Sequence, residues 1–173
     1  MEKKPCSNSL AVKTAHVLPP DTNNHGTLFG GRLMAYIDDV AAIAAVRHAR
    51  KPVVTASTDS VDFLEPVKEG DSICVEAFVT WTHNTSMEVF VKAVAEDLLS
   101  GERKVCTTAF LTFVAVDESG NPAPVPTVYP ETELEELLHK EAPLRAERRK
   151  ERRRNSRQLA TKFGTSFPWN KGV

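Results

Sequence analysis

Asp38 and Asp39 stand side by side in a stretch that is otherwise apolar and rich in alanine, and a polar loop with a double glycine, Asn23 to Gly31, leads straight into it. Burying an unpaired carboxylate is costly or raises its pKa, so each acid needs a partner, an exposed position or a task. At about 100° per residue, Asp38 falls on a helix flank with Met34, Ala41 and Ala45, whereas Asp39 lies further round, near Arg32 and Ile43. Only one of the two can face a given pocket. The plain structural reading pairs one acid with Arg32 or Arg47 and leaves the other in solvent. The chemical reading makes one of them a general base.

Gly30 and Gly31 sit where a helix begins, and the first amides of a helix have no intrahelical acceptor. Such donors can hold an oxyanion, and the missing side chains permit a ligand to approach. A tight turn alone would also explain the pair. No Gly-Lys-Ser/Thr follows, and no parallel βαβ unit continues, so a phosphate loop and a dinucleotide fingerprint are both excluded. The five histidines, His16, His25, His48, His83 and His139, show neither HExxH nor Cys/His ligand spacing, so no metal site is expected. No Gly-x-Ser-x-Gly elbow is present. A carboxylate, an amide side chain and backbone donors remain. They suffice to activate water against a reactive carbonyl such as a thioester.

Apolar residues Leu33, Ile37, Val40, Ala41 and Ala44 recur at three- and four-residue spacing, which predicts a helix from Arg32 to His48, ended by Lys51-Pro52. A strand from Ser9 to Leu18 precedes it, closed by Pro19-Pro20. Strands then follow over Val53 to Val67, Ser72 to Trp81, Met87 to Ala95 and Lys104 to Val116, separated by polar turns. Alternation in Ile73, Val75, Ala77, Val79 and in Met87, Val89, Val91, Ala93 marks sheets with one buried face. The pattern predicts an α+β domain, an antiparallel sheet wrapped around one long helix that is apolar nearly all round.

The expected organisation is a flexible N-terminus over 1–8, the domain over 9–130 with a proline-rich connector at its end, and a charged helical extension over 131–173. From Lys140 to Arg157 nine Lys/Arg face three Glu, a local charge of +6 in a chain whose total is -1. Such a stretch could touch nucleic acid or an anionic membrane, but aromatics are not interleaved and no hydrophobic face is evident, so a solvated extension packing on neighbouring subunits is the expectation. Phe163, Phe167 and Trp169 are left without an explanation. Three cysteines, Cys6, Cys74 and Cys106, lack CxxC spacing and fit a reducing compartment. Neither a signal-type segment nor an apolar run of spanning length is present, so a cytoplasmic location is expected.

His16-Val17-Leu18-Pro19-Pro20-Asp21-Thr22-Asn23, Gly26, Gly30-Gly31, Ile37-Asp38 and Arg47-His48-Ala49 together resemble the hot-dog fold acyl-CoA thioesterases of the broad-specificity bacterial and cytosolic brain-type group. Val61-Asp62-Phe63-Leu64-Glu65-Pro66-Val67, Gly70-Asp71 and Thr85-Ser86-Met87-Glu88-Val89 extend the likeness, which covers roughly Ser9 to Pro130. The resemblance implies a hot-dog fold, dimers formed edge to edge, hexamers of three dimers and active sites at the dimer interface. It implies hydrolysis of acyl-CoA to a carboxylic acid and CoA, with no cofactor beyond the CoA of the substrate.

By position, the resemblance makes Asp38 the catalytic acid and Asn23 the asparagine acting from the partner subunit, with the Gly30 and Gly31 amides as oxyanion donors. Met34 is expected along the acyl chain. Thr85, Ser86, Arg103 and Lys104 are candidates for holding CoA, a polyanion. A non-catalytic acyl-CoA sensor of the same fold is the alternative, though it would have no need for Asp38 and no helix-turn-helix pattern is present. A dehydratase of the same fold would place a histidine where Asp38 stands.

Overall fold

A computed structural model describes residues 2–167 and Trp169. In chain order the elements are β1 (Lys3–Pro5), β2 (Ala11–His16), α1 (Gly30–Ala49), β3 (Val53–Phe63), β4 (Ser72–Thr82), β5 (Ser86–Glu96), β6 (Arg103–Ala115), β7 (Thr127–Tyr129) and α2 (Glu133–Ala160). Five strands form one antiparallel sheet in the order β2-β4-β5-β6-β3. That leaves β2 and β3 at its two edges. The helix α1 lies on the face that carries Ile73, Val75, Ala77, Val79, Met87, Val89, Val91, Leu111 and Phe113, all essentially inaccessible.

The alanines of α1 make it a strong helix former and let the sheet approach closely. Its buried stripe is Leu33, Ile37, Val40, Ala41, Ala44, Ala45, His48 and Ala49. At its end Arg50 takes a left-handed conformation (φ 52°), and its N–H bonds the Val46 carbonyl at 2.8 Å. The pattern reads α1 as apolar all round and enclosed. In the protomer one face is open instead, with Met34, Ile43 and Val46 each more than 40% exposed. A five-stranded sheet curls over one side of the helix only.

The start of the chain also differs from expectation. In place of a flexible segment over 1–8, β1 pairs in parallel with β7, and a 3₁₀ turn over Cys6–Ser9 buries Cys6 and Ser9 completely. The Ser9 hydroxyl donates to the Cys6 carbonyl and accepts from the Val79 amide, each at 2.7 to 2.8 Å. β7 lies within the stretch read as an extended connector. The pairing joins the two ends of the domain, a long-range event with no local signal.

The chain divides into two compact units, Met1–Lys140 and Glu141–Val173, and α2 runs through the division. Its N-terminus is a capping box: Glu135 Oε2 accepts the amides of Glu131 and Thr132, and Thr132 Oγ1 accepts that of Glu135. No described helix is long and apolar enough to cross a membrane.

Candidate active site

Asp38 lies on the open face of α1, one turn beyond Met34. Its Oδ1 accepts a hydrogen bond from Thr55 Oγ1, near the start of β3, at 3.0 Å. Asp39 is engaged elsewhere, with Lys13 Nζ 2.7 Å away across β2. The expected cation partners are otherwise occupied. Arg32 pairs with Asp21 at 2.8 Å, and Arg47 donates to the Leu10 carbonyl. Both acids are exposed, but Asp39 is taken by a cation and Asp38 is held at one oxygen by a neutral hydroxyl. Thr55 was not among the residues expected from sequence.

Asn23 closes the loop ahead of α1. Its Oδ1 accepts the amides of His25 (2.9 Å) and Thr27 (3.3 Å), and its Nδ2 donates to Thr27 Oγ1 at 3.0 Å. Gly26, at φ +71°, permits the reversal, and its amide returns to the Asn23 carbonyl. Leu28 and Phe29 tie the loop to Val67 and Asp21 through their amides. The first turn of α1 begins with Arg32 and Leu33 both donating to the Phe29 carbonyl. The amides of Gly30 and Gly31 precede those bonds and point out of the helix start. A Cβ on Gly31 would come within 2.5 Å of the Phe29 ring, so that position requires glycine or a displaced ring. Beside it, Leu28, Gly30, Leu33, Phe63, Leu64, Glu65, Pro66 and Val67 line an open apolar recess of about 340 Å³.

Asp38 is seven positions beyond Gly31, about 10 Å along the helix axis. A reacting carbonyl cannot sit within about 3 Å of both in one chain. The other candidates divide in the same way. Lys104 pairs with Glu65 at 3.6 Å and Arg103 with Glu96 at 3.1 Å, at the end of the sheet where β3 finishes beside Gly30. Thr85 and Ser86 lie at the other end: the Thr85 carbonyl accepts the Ala115 amide, and Ser86 stands opposite Val114, itself opposite Val54. The length of β5, about 35 Å, separates the two pairs. Within one chain Thr85 and Ser86 are therefore far from Arg103 and Lys104.

His48 is fully buried at the end of α1, its Nε2 2.9 Å from the Pro126 carbonyl and its Nδ1 without a partner among the described residues. Burial holds its pKa below the ordinary imidazole value. It is sealed from the open face and cannot act there. Cys6 and Cys106 are also buried, and burial pushes the Cys6 thiol up to about 12, which excludes it as a nucleophile. Among the described residues no cluster of His, Cys, Asp and Glu could hold a metal ion.

The model of the thioesterase superfamily matches residues 25–102. An uncharacterized acyl-CoA thioester hydrolase of Bacillus subtilis, YkhA, is 56% identical over 97% of this chain and 98% of its own length. An acyl-CoA hydrolase of Staphylococcus aureus, solved with butyryl coenzyme A, coenzyme A and coenzyme A disulfide, superposes with a TM-score of 0.88 at 47% identity, over 92% of this chain and 97% of that one. Structures of its single-alanine variants at an aspartate, an asparagine and a threonine are also known. Those three positions have the same separations along their chain as Asp38, Asn23 and Thr55 have here. A hexameric acyl-CoA thioesterase superposes with a TM-score of 0.86 at 53% identity, over 88% of this chain and 97% of that one.

Proposed function

The chain belongs to the hot-dog fold acyl-CoA thioesterases of the thioesterase superfamily, and from that premise we propose that it hydrolyses acyl-CoA to a carboxylic acid and CoA at sites shared by two subunits. The observation that carries the proposal is Asp38 on the open face of α1, held by Thr55 and separated from the oxyanion donors of its own chain. An antiparallel pairing across the free edge of β3 answers that separation. A two-fold axis there lays the Thr55 end of one strand beside the Phe63 end of its partner. Asp38 and Thr55 of one subunit then face Asn23, Gly30 and Gly31 of the partner subunit. A long edge strand with Val54 and Phe63 half exposed is also one that calls for a partner.

At such a site Asp38 takes a proton from water as its oxygen attacks the thioester carbon. Thr55 fixes one carboxylate oxygen, which leaves the other for the water. The Gly30 and Gly31 amides receive the charge that develops on the carbonyl oxygen. Asn23 orients the water or the thioester. Collapse of the tetrahedral intermediate breaks the C–S bond, and the proton held by Asp38 returns to the departing sulfur. Met34 lies one turn from Asp38, where the acyl chain would enter along the helix. Pairing of subunits also brings Thr85 and Ser86 of one chain to the same end as Arg103 and Lys104 of the partner, so CoA phosphates can meet both sets. The hexameric relative supports assembly of three such pairs.

Thiol release from acyl-CoA tests the reading. Asp38→Asn keeps the shape of the side chain and the bond from Thr55, removes the base, and lowers turnover by about 10² to 10⁴. Near-normal turnover in that variant overturns the assignment. A non-catalytic sensor would bind acyl-CoA without releasing thiol.

A further inference from the structure

From Arg148 to Arg157, seven Lys/Arg face one Glu, and all of the seven but the buried Arg149 are exposed. Beyond the helix the composition changes. Phe163, Phe167 and Trp169 are 65%, 58% and 77% exposed, and Leu159 in the last turn is half exposed. The rings of Phe167 and Trp169 stack in parallel, 4.8 Å between centroids and 4° between planes. A basic collar is thus followed by an apolar tip that the second unit leaves in solvent.

We propose that this segment docks the protein reversibly on an anionic phospholipid surface, the collar meeting lipid phosphates and the aromatic tip entering the headgroup layer. The two features supply the two signals that stable peripheral attachment requires. Phe and Trp side chains suit the interfacial layer, and cations beside an anionic leaflet strengthen attachment several-fold each. The exposed residues from Arg148 to Arg157 are all polar, so this part of the helix has no lengthwise apolar face to lay in the membrane plane, and contact is through its end. The charge elsewhere sums to about -7, which a like-charged surface repels, and this confines the contact to the arm.

Single-stranded nucleic acid is the competing polyanion. Binding it uses aromatic faces distributed among cations along a groove. Here the rings gather beyond the basic run, and two of them cover each other. An acidic protein surface would satisfy the collar but give the exposed rings no role.

The test uses the full chain in co-sedimentation with vesicles of mixed phosphatidylglycerol and phosphatidylcholine, against vesicles of phosphatidylcholine alone and against single-stranded RNA. One variant carries Arg148→Gln, Arg153→Gln, Arg154→Gln and Arg157→Gln. The other carries Phe163→Ala, Phe167→Ala and Trp169→Ala. Thermal melting confirms that both remain folded. The expected result is retention on the anionic vesicles only, weakened by salt and reduced more than about tenfold in either variant. Trp169 emission should shift to the blue on binding, a change absent from Trp169→Phe. Equal retention on neutral vesicles, no retention on anionic ones, retention unchanged in both variants, or tighter binding to RNA than to the vesicles overturns the proposal.

Discussion

Replacing Thr55 by valine removes the hydroxyl that donates to Asp38 Oδ1 across 3.0 Å while keeping a β-branched side chain suited to a strand. In the isolated protomer the pair is solvent-exposed, so the change should alter folding stability by less than about 0.5 kcal/mol. In a closed site the balance differs. A hydrogen bond to a charged group contributes about 1.5–3 kcal/mol, and its loss frees the carboxylate to turn away from the water. At about 1.4 kcal/mol per factor of ten, kcat should fall roughly ten- to a hundredfold. KM should change little, because neither group is placed to bind CoA. Thr55→Ser retains the donor and should recover most of the rate. Thiol-release kinetics and a thermal melt of the three proteins decide the matter. Valine activity within about twofold of the parent would refute the role of the hydroxyl, as would failure of serine to restore the rate in a folded protein.

Two further perturbations follow from the site. Gly31→Ala puts a Cβ against the Phe29 ring, so kcat should fall about tenfold or more as the oxyanion donors shift. Phe29→Ala in the same chain should recover part of that loss, and a double-mutant cycle in thiol release measures it. His48 makes stability depend on pH in a definite direction. Its folded-state pKa lies below the ordinary 6.5, so below that pH the unfolded chain takes up a proton that the folded chain refuses. Stability is therefore full above about pH 7.5 and falls as the medium is acidified through 6.5, by up to about 1.4 kcal/mol per pH unit. Urea melts across that range should show the slope, and His48→Gln should flatten it.

The helix and the strands were legible because their signals are local. Three- and four-residue spacing marks α1, and strict alternation marks β4 and β5, with ends displaced by a residue or two, whereas β3 stops at Phe63, four residues before its expected end at Val67. That Asp38 and Asp39 meet different neighbours was legible as well, since one helical step separates their directions. What escaped depends on partners far away in sequence. Lys3–Pro5 looks like a ragged tail until β7 lies beside it. Lys13 gives no hint that it will take Asp39, and Thr55 reads as an ordinary strand residue because its acceptor is on a different element. Thr85 and Arg103 appear as similar turn chemistry, yet the antiparallel path of β5 carries them to opposite ends of the sheet. The open face of α1 was hidden for the same reason, since composition describes the side chains and only topology decides which side the sheet covers.

The central claim is that each site is built from two chains, and complementation measures it directly. Asp38→Asn and Asn23→Ala are each expected to be inactive alone. When the two are co-expressed at equal levels, random pairing makes half of the dimers mixed, and each mixed dimer holds one site with both residues intact. The account predicts that thiol release returns to about a quarter of the parent rate, on the stated two-fold geometry. No recovery, from folded and demonstrably mixed dimers, would show that Asp38 and Asn23 do not meet across subunits.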